Sequence, residues 1–309
     1  MNSLEETRAA LQQALTREEL FVTDEKVIPY GLQLVVTDNR YKTAVNIYNG
    51  KKGIRITVGG AASPLKDRVE RIANDLVCSP ATDGNPAGFE GVSDFDNRWI
   101  GSDESGKGDF FGPLVIAAVM VDAATAAALT ASGVRDSKLL SDEKAKVLAQ
   151  RIREICHGRF ALVEITPAKY NVLYQRFRAE GKNLNHLLAW AHASAIEEVL
   201  TRTPCRFALV DKFADESLIR SRLFAKGREI TLVQAPRAEK NIAVAAASIL
   251  ARERFLYWIE LFRVQYKMDF PKGASAAVTD AARAFVQRYG KNCLHDVAKL
   301  HFKTADELY

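Results

Sequence analysis

Four carboxylates in this chain stand where a polypeptide can gather side chains into one cleft. Asp103 and Glu104 are adjacent at the end of the apolar run RWIGSD, directly before the glycine-rich stretch ESGKGDFFG. Asp211 closes RFALVD after five residues of buried character, and Glu239 is expected to start a long alanine-rich helix. Strand ends and helix starts are where functional groups collect in α/β proteins. Taken one at a time, each is equally an ordinary cap or turn residue. Brought together, each pair of such charges about 4 Å apart would repel by about 4 kcal/mol at an effective dielectric of about 20, so a cluster implies protonation or a bound cation. Oxygen-only ligation with incomplete protein coordination suits Mg²⁺, with Mn²⁺ as the alternative. Two such ions would activate water on one side of a scissile phosphodiester and stabilise the leaving oxygen on the other, with no histidine needed as base. Because neighbouring strand residues face opposite ways, the glycine turn is expected to bend the backbone so that Asp103 and Glu104 share one cleft.

The same loop nearly matches a nucleotide-binding motif. GSDESGKG fits G-x-x-x-x-G-K, but Gly108 stands where that motif needs Ser or Thr. The missing hydroxyl removes a Mg²⁺ ligand, and Asp103 and Glu104 inside the loop would push phosphates away, which counts against an NTPase. A nuclease is better served: the glycines let backbone N–H groups approach a phosphate or a ribose hydroxyl, and Lys107 offers charge to the substrate backbone.

The elements that must position these groups are readable in the hydrophobic pattern. RWIGSD and PLVIAAVMVD suit two strands of an antiparallel hairpin. Helices and strands then alternate through SDEKAKVLAQRIREIC (helix), RFALVEI (strand), NLNHLLAWAHASAIEEVL (helix), RFALVD (strand) and EITLVQ, before the long helix of KNIAVAAASILARERFLYWI. That order gives an α/β core. Upstream, a helix over about 3–18, strands at GLQLVV, TAVNIY and IRITV, and a helix through PLKDRVERIANDL suggest a small α+β domain. Prolines, glycines and four acidic residues over 79–97 mark a linker. The expected organisation is therefore an N-terminal domain over 1–78, a linker over 79–97 and a catalytic domain over 98–309.

Charge separates the two parts further. Net charge is only +5, but Arg40 to Arg71 holds eight basic residues against two acidic ones, whereas residues 1–39 hold three basic and seven acidic. Within the basic segment the hairpin NIYNGKKGIRITV carries Tyr48, Lys51, Lys52 and Arg55. Basic groups beside aromatics suit nucleic acid, although a charge run is also the ordinary mark of a solvated face. A non-catalytic nucleic-acid-binding protein is accordingly the alternative to an enzyme. The chain is 48% hydrophobic and 26% charged, a globular mixture without a membrane-length apolar run or an export signal. Cys78, Cys156, Cys205 and Cys293 are scattered without metal or redox spacing, which suits the reducing cytoplasm. His186, His192, His295 and His301 lack ligand spacing and read as core or surface residues.

In order and spacing, DESGKGDFFGPLVIAAV, GVRDSKLLS, NLNHLLAWAH, LVDKFA and AEKNIAVAAASILAR resemble the ribonuclease HIII family. The resemblance covers most of the chain. Its N-terminal part, including VNIYNGKKG, looks like the TATA-binding-protein-like domain that sets HIII enzymes apart from the shorter ribonuclease HII. It implies an α/β ribonuclease H-like catalytic domain, a mixed sheet flanked by helices, preceded by a small α+β TATA-binding-protein-like domain. It also implies endonucleolytic hydrolysis of the RNA strand of RNA/DNA hybrids by two metal ions, leaving 5′-phosphate and 3′-hydroxyl ends, by a monomer.

By the same resemblance, Asp103, Glu104, Asp211 and Glu239 take the metal and catalytic roles, with Glu239 where HII enzymes have Asp. Gly106, Lys107 and Gly108 would read the ribose 2′-hydroxyl and adjoining phosphate, where HII usually carries Arg in the middle. Lys138, within the matching segment Asp136 to Lys138, would contact phosphate or remain a solvated loop lysine. Tyr48, Lys51, Lys52 and Arg55 would bind substrate from the N-terminal domain. The tail CLHDVAKLHFKT lacks the tyrosine segment of HII enzymes, which implies weak excision of single embedded ribonucleotides.

Overall fold

The computed structural model describes residues 4–50, 53–61, 63–77, 85–90, 92–212, 216–223 and 226–308. Its chain divides into two compact units, residues 1–84 and 85–309.

In the first unit, helix α1 (Leu4–Arg17) is followed by strands β1 (Phe21–Ile28), β2 (Gly31–Thr37), β3 (Lys42–Gly50) and β4 (Gly53–Gly59), then helix α2 (Pro64–Val77). The strands form an antiparallel sheet in sequence order. Alternation decides its faces: Leu32, Leu34, Val36, Val45 and Ile47 turn inward and pack with Leu11 and Leu15 of α1 and Leu65 and Val69 of α2. The alternate positions lie on the opposite face, where Gln33 donates to Asn46 at 2.7 Å and Tyr48 pairs directly with exposed Arg55. Strand β1 has no counterpart in the sequence expectations. Its residues are exposed on both sides, so FVTDEKVI shows no two-residue hydrophobic alternation to read. Lys51 and Lys52 lie outside the described residues.

The second unit is built on β5 (Arg98–Ser105), β6 (Leu114–Asp122), β7 (Phe160–Ile165), β8 (Phe207–Asp211) and β9 (Thr231–Ala235). Their order across the sheet is β7-β6-β5-β8-β9. β6 runs antiparallel to both neighbours, while β5, β8 and β9 are mutually parallel. Helices α3 (Ala123–Ala131), α4 (Asp142–Ile155), α5 (Pro167–Ala179), α6 (Leu184–Arg202), α7 (Glu216–Arg220), α8 (Ile242–Tyr266), α9 (Ala276–Tyr289), α10 (Leu294–Val297) and α11 (Lys303–Asp306) complete the unit. β6 is buried on both faces, which explains its unbroken apolar run. Val115, Ala117 and Val119 face α4 and α8, whereas Ile116, Ala118 and Met120 face α6. The alanines of α8 let it lie close on the sheet. At Gly101 an added Cβ would sit 2.2 Å from the backbone nitrogen of Val244, so only glycine permits that approach.

Part of the stretch over 79–97 expected as a linker is packed. From Asn85 onward the chain belongs to the second unit, and Phe89 is fully buried with Phe95, Trp99 and Phe207 around it. Asn241 fixes this segment: its Nδ2 donates to Ala87 O at 2.7 Å while its Oδ1 accepts from Trp99 Nε1 at 2.8 Å. The polar composition concealed two aromatic anchors.

Candidate active site

The parallel pairing of β5 with β8 brings the four carboxylates together. Ser102 lies opposite Val210, so Asp103 and Asp211 emerge side by side at the common carboxyl edge of the two strands. Asp211 accepts from Ala238 N at 3.2 Å, which ties that edge to the 3₁₀ turn Ala238–Lys240 carrying Glu239. Glu239 thus precedes α8 rather than starting it. The helix begins after Asn241, whose side chain accepts from Ala243 N, and the turn is entered through Arg237 in the left-handed region at φ 58°.

The expected backbone bend at Asp103 and Glu104 does not occur. β5 keeps regular register through Ser105, with Asp103 opposite Ala117 and Glu104 opposite Ile116. The two side chains point to opposite faces, as strand geometry requires. Asp103 turns toward α8 and the Ser248 hydroxyl, which favours its ionised form, and Glu104 turns toward α6, where its Oε2 lies 3.3 Å from His192 Nε2. Both still line one cavity, because the sheet ends here and the space opens around its edge.

That cavity has a volume of about 410 Å³ and is lined by Asp103, Glu104, Asp211 and Glu239, the 105–108 loop, Asp136, Ser137, Lys138, Val244, Ser248, Arg252 and Lys272. Among the described residues, no three Asp, Glu, His or Cys side chains converge closely enough to enclose an ion. Two of the carboxylates are paired with lysines. Lys107 Nζ lies 3.3 Å from Glu104 Oε1, and Lys138 Nζ lies 3.9 Å from Glu239 Oε1. The donor set nevertheless fits a hard cation: it is all oxygen, and its charge is underneutralised at Asp103. Burial, reinforced by the charges of Glu104 and Asp211, pushes the Asp103 carboxyl up to about 7. Burial also disfavours ionised Glu104, but His192 and Lys107 outweigh it and hold Glu104 down to about 2.

The glycine loop joins two antiparallel strands instead of leading from a strand into a helix, which separates it from a nucleotide-binding loop. At Gly106, φ is +88° and an added Cβ would meet Pro113 O at 2.1 Å. Gly108 differs. An added Cβ there would meet nothing within 4 Å, so the fold itself does not require glycine. Behind the loop, buried Lys299 donates from its backbone nitrogen to Phe110 O at 2.8 Å and from Nζ to Gly112 O at 2.5 Å. Burial pulls its amine down to about 7, opposed by Asp109. Phe110 and Phe111 are fully buried and serve packing, as their sequence context suggests.

Several cavity residues were not singled out from sequence. Ser248 bonds Ser137 at 2.7 Å, and Arg252 reaches Ser137 O and lies 2.6 Å from Asp142. Lys272 also meets Asp142, at 2.8 Å, and together these two cations hold its carboxyl below the usual range against the effect of burial. His192 was read as a core residue and is fully buried, yet it touches Glu104. The available signal was a lone polar ring on an otherwise apolar, sheet-facing stripe of α6.

A five-stranded mixed sheet between helices, with carboxylates at its strand ends, defines a ribonuclease H-type hydrolase. The family model for ribonuclease HII matches residues 100–305. Over 209 residues the chain is 46% identical to ribonuclease HIII of Protochlamydia amoebophila (strain UWE25), covering 68% of this chain and 67% of that one. It is 45% identical over 212 residues to ribonuclease HIII of Chlamydia pneumoniae, covering 68% and 69%. The crystal structure of Bst-RNase HIII in complex with Mn²⁺ superposes with a TM-score of 0.66 at 27% identity, covering 100% of this chain and 96% of that one. Ribonuclease H2 from Pyrococcus horikoshii OT3 gives 0.59 at 25% identity, covering 68% and 96%. The chain belongs to the ribonuclease HIII family. It is therefore an endoribonuclease of the ribonuclease H type, divalent-metal dependent and acting on RNA/DNA hybrids, and not a non-catalytic binding protein or an NTPase.

Proposed function

We propose that Asp103, Glu104, Asp211 and Glu239 hold the divalent cations, Mg²⁺ or Mn²⁺, and that the 106–108 loop selects the strand that is cut. The observation that carries this is the gathering of all four carboxylates, the glycine loop and three lysines in one cavity at the carboxyl edge of β5 and β8. When bound, the cations neutralise charge on both sides of the scissile phosphodiester and activate water. The protein's own groups do the rest. Lys107 and Lys138 are the flexible cations at the cavity, and a substrate phosphate competes with Glu104 and Glu239 for them. That exchange releases carboxylate oxygens for the metal. Gly108, free of any packing reason to be glycine, leaves room for a sugar to approach the backbone N–H groups. Only RNA offers a 2′-hydroxyl to such donors, so the RNA strand is the one positioned for cleavage, leaving 5′-phosphate and 3′-hydroxyl ends.

The residue 1–78 domain is assigned to substrate binding through the sheet face opposite α1 and α2. Tyr48 and Arg55 sit side by side there with Gln33 and Asn46, offering a stacking ring, a charge and amides. Lys51 and Lys52, close to them in sequence, are assigned the same role. The chain is proposed to act as a monomer, and a reducing cytoplasm fits Cys156 and Cys205 buried as thiols; no helix among the described residues is long and apolar enough to cross a membrane. The test is cleavage of labelled substrates by the purified chain with Mg²⁺. Cutting of the RNA strand of a hybrid, with duplex DNA intact and activity lost on chelation, is expected; equal cutting of duplex DNA contradicts selection by the loop.

A further inference from the structure

Glu104 is held at both oxygens, but by partners of different character. Oε1 faces Lys107, a half-exposed flexible chain that substrate phosphate draws away in the scheme above. Oε2 faces His192 Nε2 at 3.3 Å, and His192 is fully buried on α6. The ring is anchored in turn. His192 Nδ1 lies 2.8 Å from the Oγ of Ser102, which is also fully buried, two residues before Glu104 on the same strand face. Ser102 Oγ also lies 2.8 Å from Ala117 O. A carboxylate can only accept, so Nε2 carries the proton toward Glu104, while the single Ser102 hydroxyl proton goes to Ala117 O and the serine oxygen lies against Nδ1. Ser102, His192 and Glu104 are thus linked by hydrogen bonds between β5 and α6.

We propose, building on the reading of Glu104 as a metal ligand, that His192 is a positioning residue: anchored by Ser102, it fixes the Glu104 carboxylate so that Oε1 stays aimed into the cavity after Lys107 turns to the substrate. Carboxylate ligands that are themselves hydrogen-bonded bind metal in a defined orientation, and losing such a partner typically weakens metal affinity or activity by about 10- to 100-fold. His192 does not touch the reacting atoms. Its contribution is therefore to metal affinity and turnover, not to hybrid affinity.

The experiment uses the full chain, measures Mn²⁺ binding without substrate from the electron paramagnetic resonance signal of free Mn²⁺, and measures kcat and KM on a hybrid. His192→Phe keeps the ring volume and removes both hydrogen bonds. The expected result is Mn²⁺ binding weaker by about 10- to 100-fold, a lower kcat and an unchanged KM. His192→Gln, which restores a side-chain N–H donor, should recover a substantial part of the affinity. Unchanged Mn²⁺ binding in a folded His192→Phe protein overturns the proposal. So does His192→Gln as defective as His192→Phe, because ring packing would then be the whole effect. If His192→Phe does not fold, Ser102→Ala decides: weaker Mn²⁺ binding is expected from a ring free to turn, and unchanged binding overturns it. Glu104→Gln separates the two levels. Native Mn²⁺ affinity in that variant would overturn the metal-ligand reading of Glu104, whereas lost affinity there with native affinity in His192→Phe overturns only the positioning role.

Discussion

In the N-terminal unit, helices α1 and α2 pack on one face of the sheet, and the opposite face carries Tyr48, Arg55, Gln33 and Asn46. In the second unit helices pack on both faces, and the polar groups collect instead at the strand ends around Asp103 and Asp211. A sheet face offers many weak, interchangeable contacts to an extended ligand. A sheet edge offers few groups, each held by two or three elements, and so can fix charge where chemistry needs it. Substitutions should therefore act steeply at the edge and gradually on the face.

The steepest expected effect is at the edge. Asp103→Asn keeps the shape of the side chain but removes its charge, and hydrolysis should fall by roughly 10³-fold, about 4 kcal/mol. Rates on a labelled hybrid with saturating Mg²⁺ check it; a loss under tenfold would make Asp103 structural. Next come the loop glycines, which the geometry separates. Gly106→Ala should destabilise the fold by about 1–3 kcal/mol, because φ is +88° and Pro113 O blocks the new methyl. Gly108→Ala should leave thermal unfolding unchanged while lowering kcat/KM on hybrids. Equal destabilisation by both would remove the argument that Gly108 is kept for the ligand.

How much of this contrast was legible in the sequence follows from the range of the interactions. The hairpin β5–β6, helix α6 and strand β8 were readable because their hydrophobic periods are local. The four carboxylates could be picked out because each lies at or close to the end of such an element. His192 was not, since its partner Glu104 is 88 residues away and its own neighbours are apolar. Glu239 was placed at a helix start because the alanine run hides the N-cap, although Asn241 is a good capping residue. The 85–97 segment read as a linker because composition registers prolines and acids more strongly than the two rings, Phe89 and Phe95, that bury it.

On the face of the first sheet, Tyr48→Ala should weaken hybrid binding by about 1–3 kcal/mol if a base stacks there. Arg55→Ala should lower the salt slope of binding by about one, the mark of a lost phosphate contact. Cleavage of fully bound hybrid should be unchanged in both. Titrations at several salt concentrations test this, and an unaltered slope and affinity would return the face to solvent. The smallest effect on activity is expected at Lys299, which acts on stability alone. Lys299 titrates near 10.5 when unfolded and is pulled down to about 7 by burial in the fold. Between those pH values the unfolded chain holds the extra proton, so stability rises with pH across that window. Lys299→Met should flatten the rise in denaturant midpoints measured from pH 7 to 10; an unchanged slope would mean that the amine is not the group responsible.

The most direct measurement of the central claim is Asp211→Asn, assayed for both cleavage and binding of one labelled RNA/DNA hybrid with Mg²⁺ present. Asp211 joins β8 to the turn carrying Glu239 and stands beside Asp103, so its charge belongs to the cavity proposed to hold the cations. Cleavage should disappear while hybrid binding persists. Undiminished cleavage would contradict a carboxylate metal site at the ends of β5 and β8.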